Sequence, residues 1–283
     1  LNQKVIWKRV CNYYFNCLRD VDRHMMKLIH SLQETGQMDN TIIFMISDHG
    51  EMLGQQGSRG KIVSWEESIR VPTLVYHPDL KEQRKCNSLI SNIDIVPTLL
   101  EFTGLSKSEL RDKHPELKGN SYAELVENVK YDNIRNQEGH LIHGVQIIPA
   151  VFQVAEKFRH TGLAEGYWEK AKAFMSKGNF LPNFTPPLNY KGVVDKKYKF
   201  LRFFSPRQNN IPINFDELSK YNADYQLYDL ENDPFEMNDL AKDESNRELL
   251  MAMNNKCNRL ADKEIGLENH VLHLPGPDWF WTA

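Results

Sequence analysis

Residues 41–50, Thr-Ile-Ile-Phe-Met-Ile-Ser-Asp-His-Gly, constrain this chain more than any other stretch. An apolar run of strand length ends abruptly on a carboxylate, an imidazole and a glycine. Ile42 to Ile46 is too short and too rich in β-branched residues for a helix. It is expected to be a strand covered on both faces, as in a parallel α/β sheet. Open α/β sheets hold ligands just beyond the carboxyl ends of their strands, where Asp48 and His49 would emerge. Such a pair, followed by a glycine that permits a tight turn, suits a divalent cation. Turn chemistry offers a plainer reading, in which Asp48 caps the next segment and His49 faces solvent.

The next residues favour the first reading. Glu51, Gly54, Gly57, Gly60 and Lys61 form a glycine-rich loop that ends in a basic residue, 13 positions after Asp48. A cation together with an ammonium is what a tetrahedral oxyanion such as sulfate or phosphate requires. Glu66 to Tyr76 then runs from an acidic helical turn near 64–69 into a second apolar strand over 72–76.

Ser47-Asp48-His49-Gly50-Glu51-Met52-Leu53-Gly54, Lys61 and Glu67-Ser68-Ile69-Arg70-Val71-Pro72 together resemble a signature region of the sulfatases, in the alkaline-phosphatase-like superfamily. The resemblance continues through Asn92 to Leu100, Gly104 and Gly119-Asn120-Ser121, and returns at Asp195 to Phe200 and at Tyr225 to Glu236. It implies a mixed α/β sheet flanked by helices, incomplete here, with a small C-terminal antiparallel sheet carrying one packed helix. Asp48 and His49 would be ligands of a divalent metal, most commonly calcium, with manganese or magnesium in relatives. Lys61 would be catalytic, touching the transferred group and the bridging oxygen. The implied reaction is hydrolysis of a small-molecule or carbohydrate sulfate ester. The Asp-His form is similar to choline-sulfatase-like and phosphonate-monoesterase-like branches, which keeps phosphonate monoester or phosphodiester hydrolysis, or a non-catalytic fragment, as alternatives. Arg70 is expected to pair with Glu66 or Glu67 rather than with substrate.

The family's nucleophile sits in a Cys/Ser-x-Pro/Ala-x-Arg segment whose Cys or Ser becomes formylglycine. None of Cys11, Cys17, Cys86 and Cys257 is followed by that pattern, and the family's paired N-terminal aspartates are missing as well. The expectation is the C-terminal portion of a sulfatase-type enzyme, inactive alone. Four unclustered cysteines argue against both a disulfide scaffold and a zinc site. A net charge of −3 gives no sign of a nucleic-acid surface. No apolar run reaches membrane-spanning length, and compartment stays open.

Three regions are expected: 1–130 as the C-terminal part of the catalytic α/β domain, 131–192 as an insertion or linker near the active site, and 193–283 as a small α+β subdomain. Residues 3–35 show helical spacing stopped by Gly36, with Asp20, Asp22, Arg23 and His24 on the solvated face. Residues 93–103 read as a helix opened by Asn92 or Asp94, 105–116 as a polar connection, and 121–129 as a short helix or loop. A strand is placed within 142–154, and His140 and His143 read as ordinary surface histidines. Tyr198 to Phe204 and Tyr225 to Leu230 are aromatic-rich strands, and Arg247 to Glu264 is an amphipathic helix. Trp168, Phe174, Phe180 and Phe184 are candidates for a substrate mouth or for loop anchors. The tail aromatics Trp279, Phe280 and Trp281 suggest docking on the body or on a second copy, as a homo-oligomer.

Overall fold

The computed structural model describes residues 3–61, 63–80, 82–128, 130, 133, 135–145, 189–205, 211–221 and 224–266. The aromatics Trp168, Phe174, Phe180 and Phe184 and the tail aromatics Trp279, Phe280 and Trp281 lie outside these residues.

Gln3–Glu34 form helix α1, which gives way at Gly36, held in the left-handed region at φ 67°. Leu18, Val21 and Leu28 of its apolar stripe are exposed, as is the polar face bearing Asp20 to His24. Ile43–Ile46 (β1) is the strand that the apolar run predicts, but it pairs antiparallel with Thr73–Tyr76 (β2), Ile43 opposite Tyr76 and Ile46 opposite Thr73. It is also not covered on both faces, since Ile46 is 42% exposed. The parallel, two-face reading is therefore corrected. β-branched residues dictate extended backbone, whereas strand direction is set by how the chain returns. Here it comes back through the glycine-rich loop and the short helix Glu66–Ile69 (α2). Phe44 supplies the covered face, packing on Phe102 and Tyr122.

Ser91 and Asp94 close a capping box around a short 3-10 turn, and Ile95–Phe102 (α3) continues from it. The polar connection expected at 105–116 is instead largely a helix, Lys107–Lys113 (α4), opened by a Ser106–Glu109 capping box. Ala123–Glu127 is helix α5. Asp94 is buried at 0% exposure and accepts from the backbone N–H of Ser91 and of Asn120 at 2.8 and 2.7 Å. Buried Arg135, at the start of helix Arg135–Glu138 (α6), grips it with Nε and Nη2 at 2.5 and 2.6 Å and reaches Glu264 at 3.0 Å. The Asp94 charge is matched on every side, which is what makes its burial tolerable.

Four antiparallel strands make the second sheet, in the order His140–Val145 (β3), Asn189–Val194 (β4), Tyr198–Phe204 (β5) and Asp224–Asp229 (β6). The strand expected within 142–154 thus begins at His140; residues beyond 145 lie outside the described set. Between β5 and β6 sits a further helix, Phe215–Tyr221 (α7). Alternate residues sort the sheet into two faces. Val193, Phe200 and Leu227 meet Leu250, Met253, Cys257 and Leu260 of helix Arg247–Glu264 (α8). Tyr190, Val194 and Leu201 face Ile69 at the end of α2. The packed helix anticipated from its spacing is therefore in place, with Leu218 of α7 buried in the same core, and the opposite face of its sheet bears on the elements that follow β1.

Candidate functional site

Asp48 and His49 leave the end of β1 in a turn held by its own polar groups. Asp48 Oδ1 accepts from the His49 backbone N–H at 2.9 Å, and the Ser47 hydroxyl donates to the His49 carbonyl at 2.8 Å. Asn92 Nδ2 donates to the Ser47 carbonyl at 3.1 Å and ties the turn to the start of α3. Gly50 donates its N–H to the Ser68 carbonyl of α2 at 2.8 Å. A Cβ at Gly50 would lie 2.0 Å from the Glu67 carbonyl oxygen, so only glycine permits this approach.

The imidazole orientation follows from its contacts. His49 Nδ1 is 2.8 Å from the Gly50 carbonyl oxygen. A carbonyl only accepts, so Nδ1 carries a proton and, in the neutral ring, Nε2 carries the lone pair. That lone pair lies 3.2 Å from Asp48 Oδ2 and 2.5 Å from Lys61 Nζ. Lys61 therefore does fold back over the strand end, bringing the three side chains singled out in the sequence into one cluster. Whatever burial Asp48 feels acts to raise its carboxyl, but the His49 backbone N–H, with the His49 ring and the Lys61 ammonium close by, outweighs it and holds the group below the ordinary carboxylate range. The Asp48 side chain is 81% exposed and that of His49 36%, so solutes reach both.

The loop between them is braced from within. Glu51 Oε1 accepts from the Gly60 N–H at 2.7 Å, and the Met52 N–H donates to the Gly60 carbonyl at 2.9 Å, with Met52 fully buried beneath. Gly54, at φ 98°, faces the Trp7 ring of α1, which a Cβ would approach to 3.3 Å. These contacts close the loop and set Lys61 above His49.

Two histidine and arginine expectations change. Glu66 does not take Arg70 as its acidic-turn partner: it ion-pairs at 3.4 Å with buried Lys199 of β5, which also meets Glu236 at 2.6 Å. His140 is not an ordinary surface histidine. Its Nδ1 is buried without a hydrogen-bond partner, and burial, with Arg135 and Lys199 nearby, pulls the ring down to about 4. His143 is exposed.

As a cation site the cluster fits in part. An imidazole locked with its lone pair outward and an ionised carboxylate beside it are the donor types that a divalent ion takes, and an ammonium already lies against the imidazole lone pair. Among the described residues, no group of three or more His, Cys, Asp or Glu joins them.

The family model described as Sulfatase matches residues 2–105. The chain is 34% identical over 117 residues to the choline-sulfatase of Rhizobium meliloti, covering 41% of this chain and 22% of that protein. One solved structure, in complex with its substrate D-glucosamine-2-N,6-O-disulfate, superposes with a TM-score of 0.59 at 20% identity, covering 90% of this chain and 40% of that one. The phosphonate monoester hydrolase of Agrobacterium radiobacter superposes with a TM-score of 0.57 at 20% identity, covering 87% and 40%. The chain thus spans well under two thirds of the proteins it matches, and the structural likenesses establish an alkaline-phosphatase-like fold.

Proposed function

We propose, from the premise that residues 2–105 belong to the sulfatase family, that this chain supplies half of a metal shell and the substrate lysine for hydrolysis of a sulfate ester. The observation that carries the proposal is His49, whose Nδ1–H on the Gly50 carbonyl turns Nε2 toward Asp48 and Lys61. Asp48 and His49 would hold the divalent ion, calcium in the first instance and manganese or magnesium otherwise. A bound divalent ion supplies Lewis-acid stabilisation of charge on the ester oxygens.

The chain's own residues do the rest. The Gly50 carbonyl fixes the His49 tautomer, and the His49 N–H keeps Asp48 ionised. Lys61, released from Nε2, presents an ammonium to a sulfate oxygen and to the bridging oxygen on which charge develops as the alcohol leaves. On this reading residues 1–130 carry the reaction loop, and Lys199 and Glu236 of the 193–283 region brace it. The substrate class is a small-molecule or carbohydrate sulfate ester, in keeping with the choline-sulfatase and disulfated-glucosamine relatives.

The 283-residue polypeptide, whose cysteines lie outside the nucleophile pattern, is expected to bind divalent ions without turning over 4-nitrophenyl sulfate. Calorimetric titration with calcium and manganese tests the first half, and absent uptake, or uptake unchanged in Asp48→Ala, refutes it. A second reading, phosphonate or phosphodiester hydrolysis, is favoured by His49 in place of the asparagine that many sulfatases carry. Comparing aryl sulfate with aryl phosphonate on a polypeptide that includes the nucleophile segment separates the two.

A further inference from the structure

We infer that the turn at 233–237 and Lys199 form a latch that sets the position of the Asp48–Lys61 loop, making Glu236 and Lys199 positioning residues for the site. The inference rests on the reading of that loop as the reactive site.

The turn meets the loop at Gln56 and the head of α2 at Glu66, and each contact involves a residue in the left-handed region, uncommon outside glycine. Gln56, at φ 53°, donates Nε2 to the Phe235 carbonyl at 2.7 Å. Glu236, at φ 54° and 3% exposed, accepts the Glu66 backbone N–H on Oε2 at 2.8 Å. A non-glycine residue in that region is strained and persists where its surroundings over-determine it. The turn is itself fixed, because the Asp233 carboxylate accepts from the Met237 and Asn238 N–H groups at 3.1 and 2.7 Å. Lys199, at 0% side-chain exposure, lies between Glu236 at 2.6 Å and Glu66 at 3.4 Å. Trp65 packs on Tyr228 with ring centroids 5.7 Å apart and seals the junction.

The path to the site is short. Glu66 opens α2, and two residues later the Ser68 carbonyl receives the Gly50 N–H at 2.8 Å. The Gly50 carbonyl in turn fixes the His49 ring. An apolar contact would bury the junction equally well but would let the surfaces slide. A lysine between two carboxylates, with one backbone N–H aimed at a carboxylate oxygen, defines a single register.

The test is amide hydrogen exchange by NMR on the whole 283-residue chain. The Gly50 and Gly60 N–H groups report the loop; the Asn120 N–H, held by Asp94, reports the fold. Glu236→Ala should accelerate Gly50 exchange about tenfold or more relative to Asn120, as expected when an amide's local opening loses a buried anchor. It should also broaden or shift the His49 ring ¹⁵N signals, which a merely structural role would leave in place. Gln56→Gly removes the second tether while suiting the backbone better than glutamine does, so it remains informative should Glu236→Ala not fold. It should accelerate Gly60 relative to Asn120. Parallel acceleration of all three amides, or none, in the folded variants overturns the latch. Because exchange needs neither ion nor ester, wild-type chain that takes up no calcium or manganese would sink the proposed function and leave this result standing.

Discussion

Two charged constellations in this chain use the same kinds of residue and do opposite things with them. Asp94 is fully buried, and its oxygens are taken by two arginine nitrogens and two backbone N–H groups. Asp48 is largely exposed, with Oδ1 on a neighbouring N–H and Oδ2 3.2 Å from His49 Nε2. Saturation makes the first a strut, since a buried carboxylate with every lone pair spoken for has nothing left to offer a ligand. Openness makes the second available to chemistry, at the cost of contributing little to the fold. Carboxylate identity says nothing about role; what already occupies its lone pairs does.

The largest break in that contrast comes from Arg135→Met, which strands Asp94 in the interior. It should cost about 3–5 kcal/mol in urea unfolding, whereas Asp48→Ala and His49→Ala should leave the unfolding midpoint essentially unchanged while abolishing divalent uptake. Equal losses in the two sets would erase the distinction. Acid comes next. The fold holds His140 neutral with its pKa lowered from 6.5 to about 4, so the unfolded chain takes the proton first. This contribution is complete above pH 6.5 and drains away as pH falls toward 4, by at most about 3 kcal/mol. His140→Gln should flatten that part of the stability–pH curve, and an unaltered slope would place the acid sensitivity elsewhere.

Gly50→Ala tests where strut and site meet. The clash with the Glu67 carbonyl should cost about 1–3 kcal/mol, as overpacking does, and should weaken ion binding too, as thermal melts with and without manganese would report. Smallest is Lys61→Met. Its ammonium lies against the Nε2 lone pair, so an incoming ion must displace it. Removing that competitor should leave unfolding unchanged and tighten manganese binding by up to about tenfold, the worth of one such hydrogen bond. Weaker binding in the variant would show that the lysine does not compete.

What could be read from the sequence was local. The apolar run marked the strand Ile43–Ile46, Gly36 stopped a helix, and the spacing of Leu250, Met253, Cys257 and Leu260 marked a packed face, because each signal lies within a few turns of chain. The Asp48–His49–Lys61 cluster was legible for the same reason. α4 was missed although Ser106 and Glu109 spell out its capping box, a signal that was present but outweighed by polar composition. The partners of Asp94 and Glu66 were beyond reach. Arg135 and Lys199 lie 41 and 133 residues away, and no periodicity relates them. The direction of β1 likewise depends on the path of the returning chain, which the run of isoleucines does not encode.

The contact at Gly50 has an engineering consequence. With 2.0 Å between the Glu67 oxygen and the spot where a side chain would begin, nothing compressible separates turn from helix, so a shift of one arrives at the imidazole undamped. Residues 47–61 would therefore lose their geometry if transplanted alone. A graft would have to carry α2 as well, together with Lys199 and Glu236, which hold Glu66 in place.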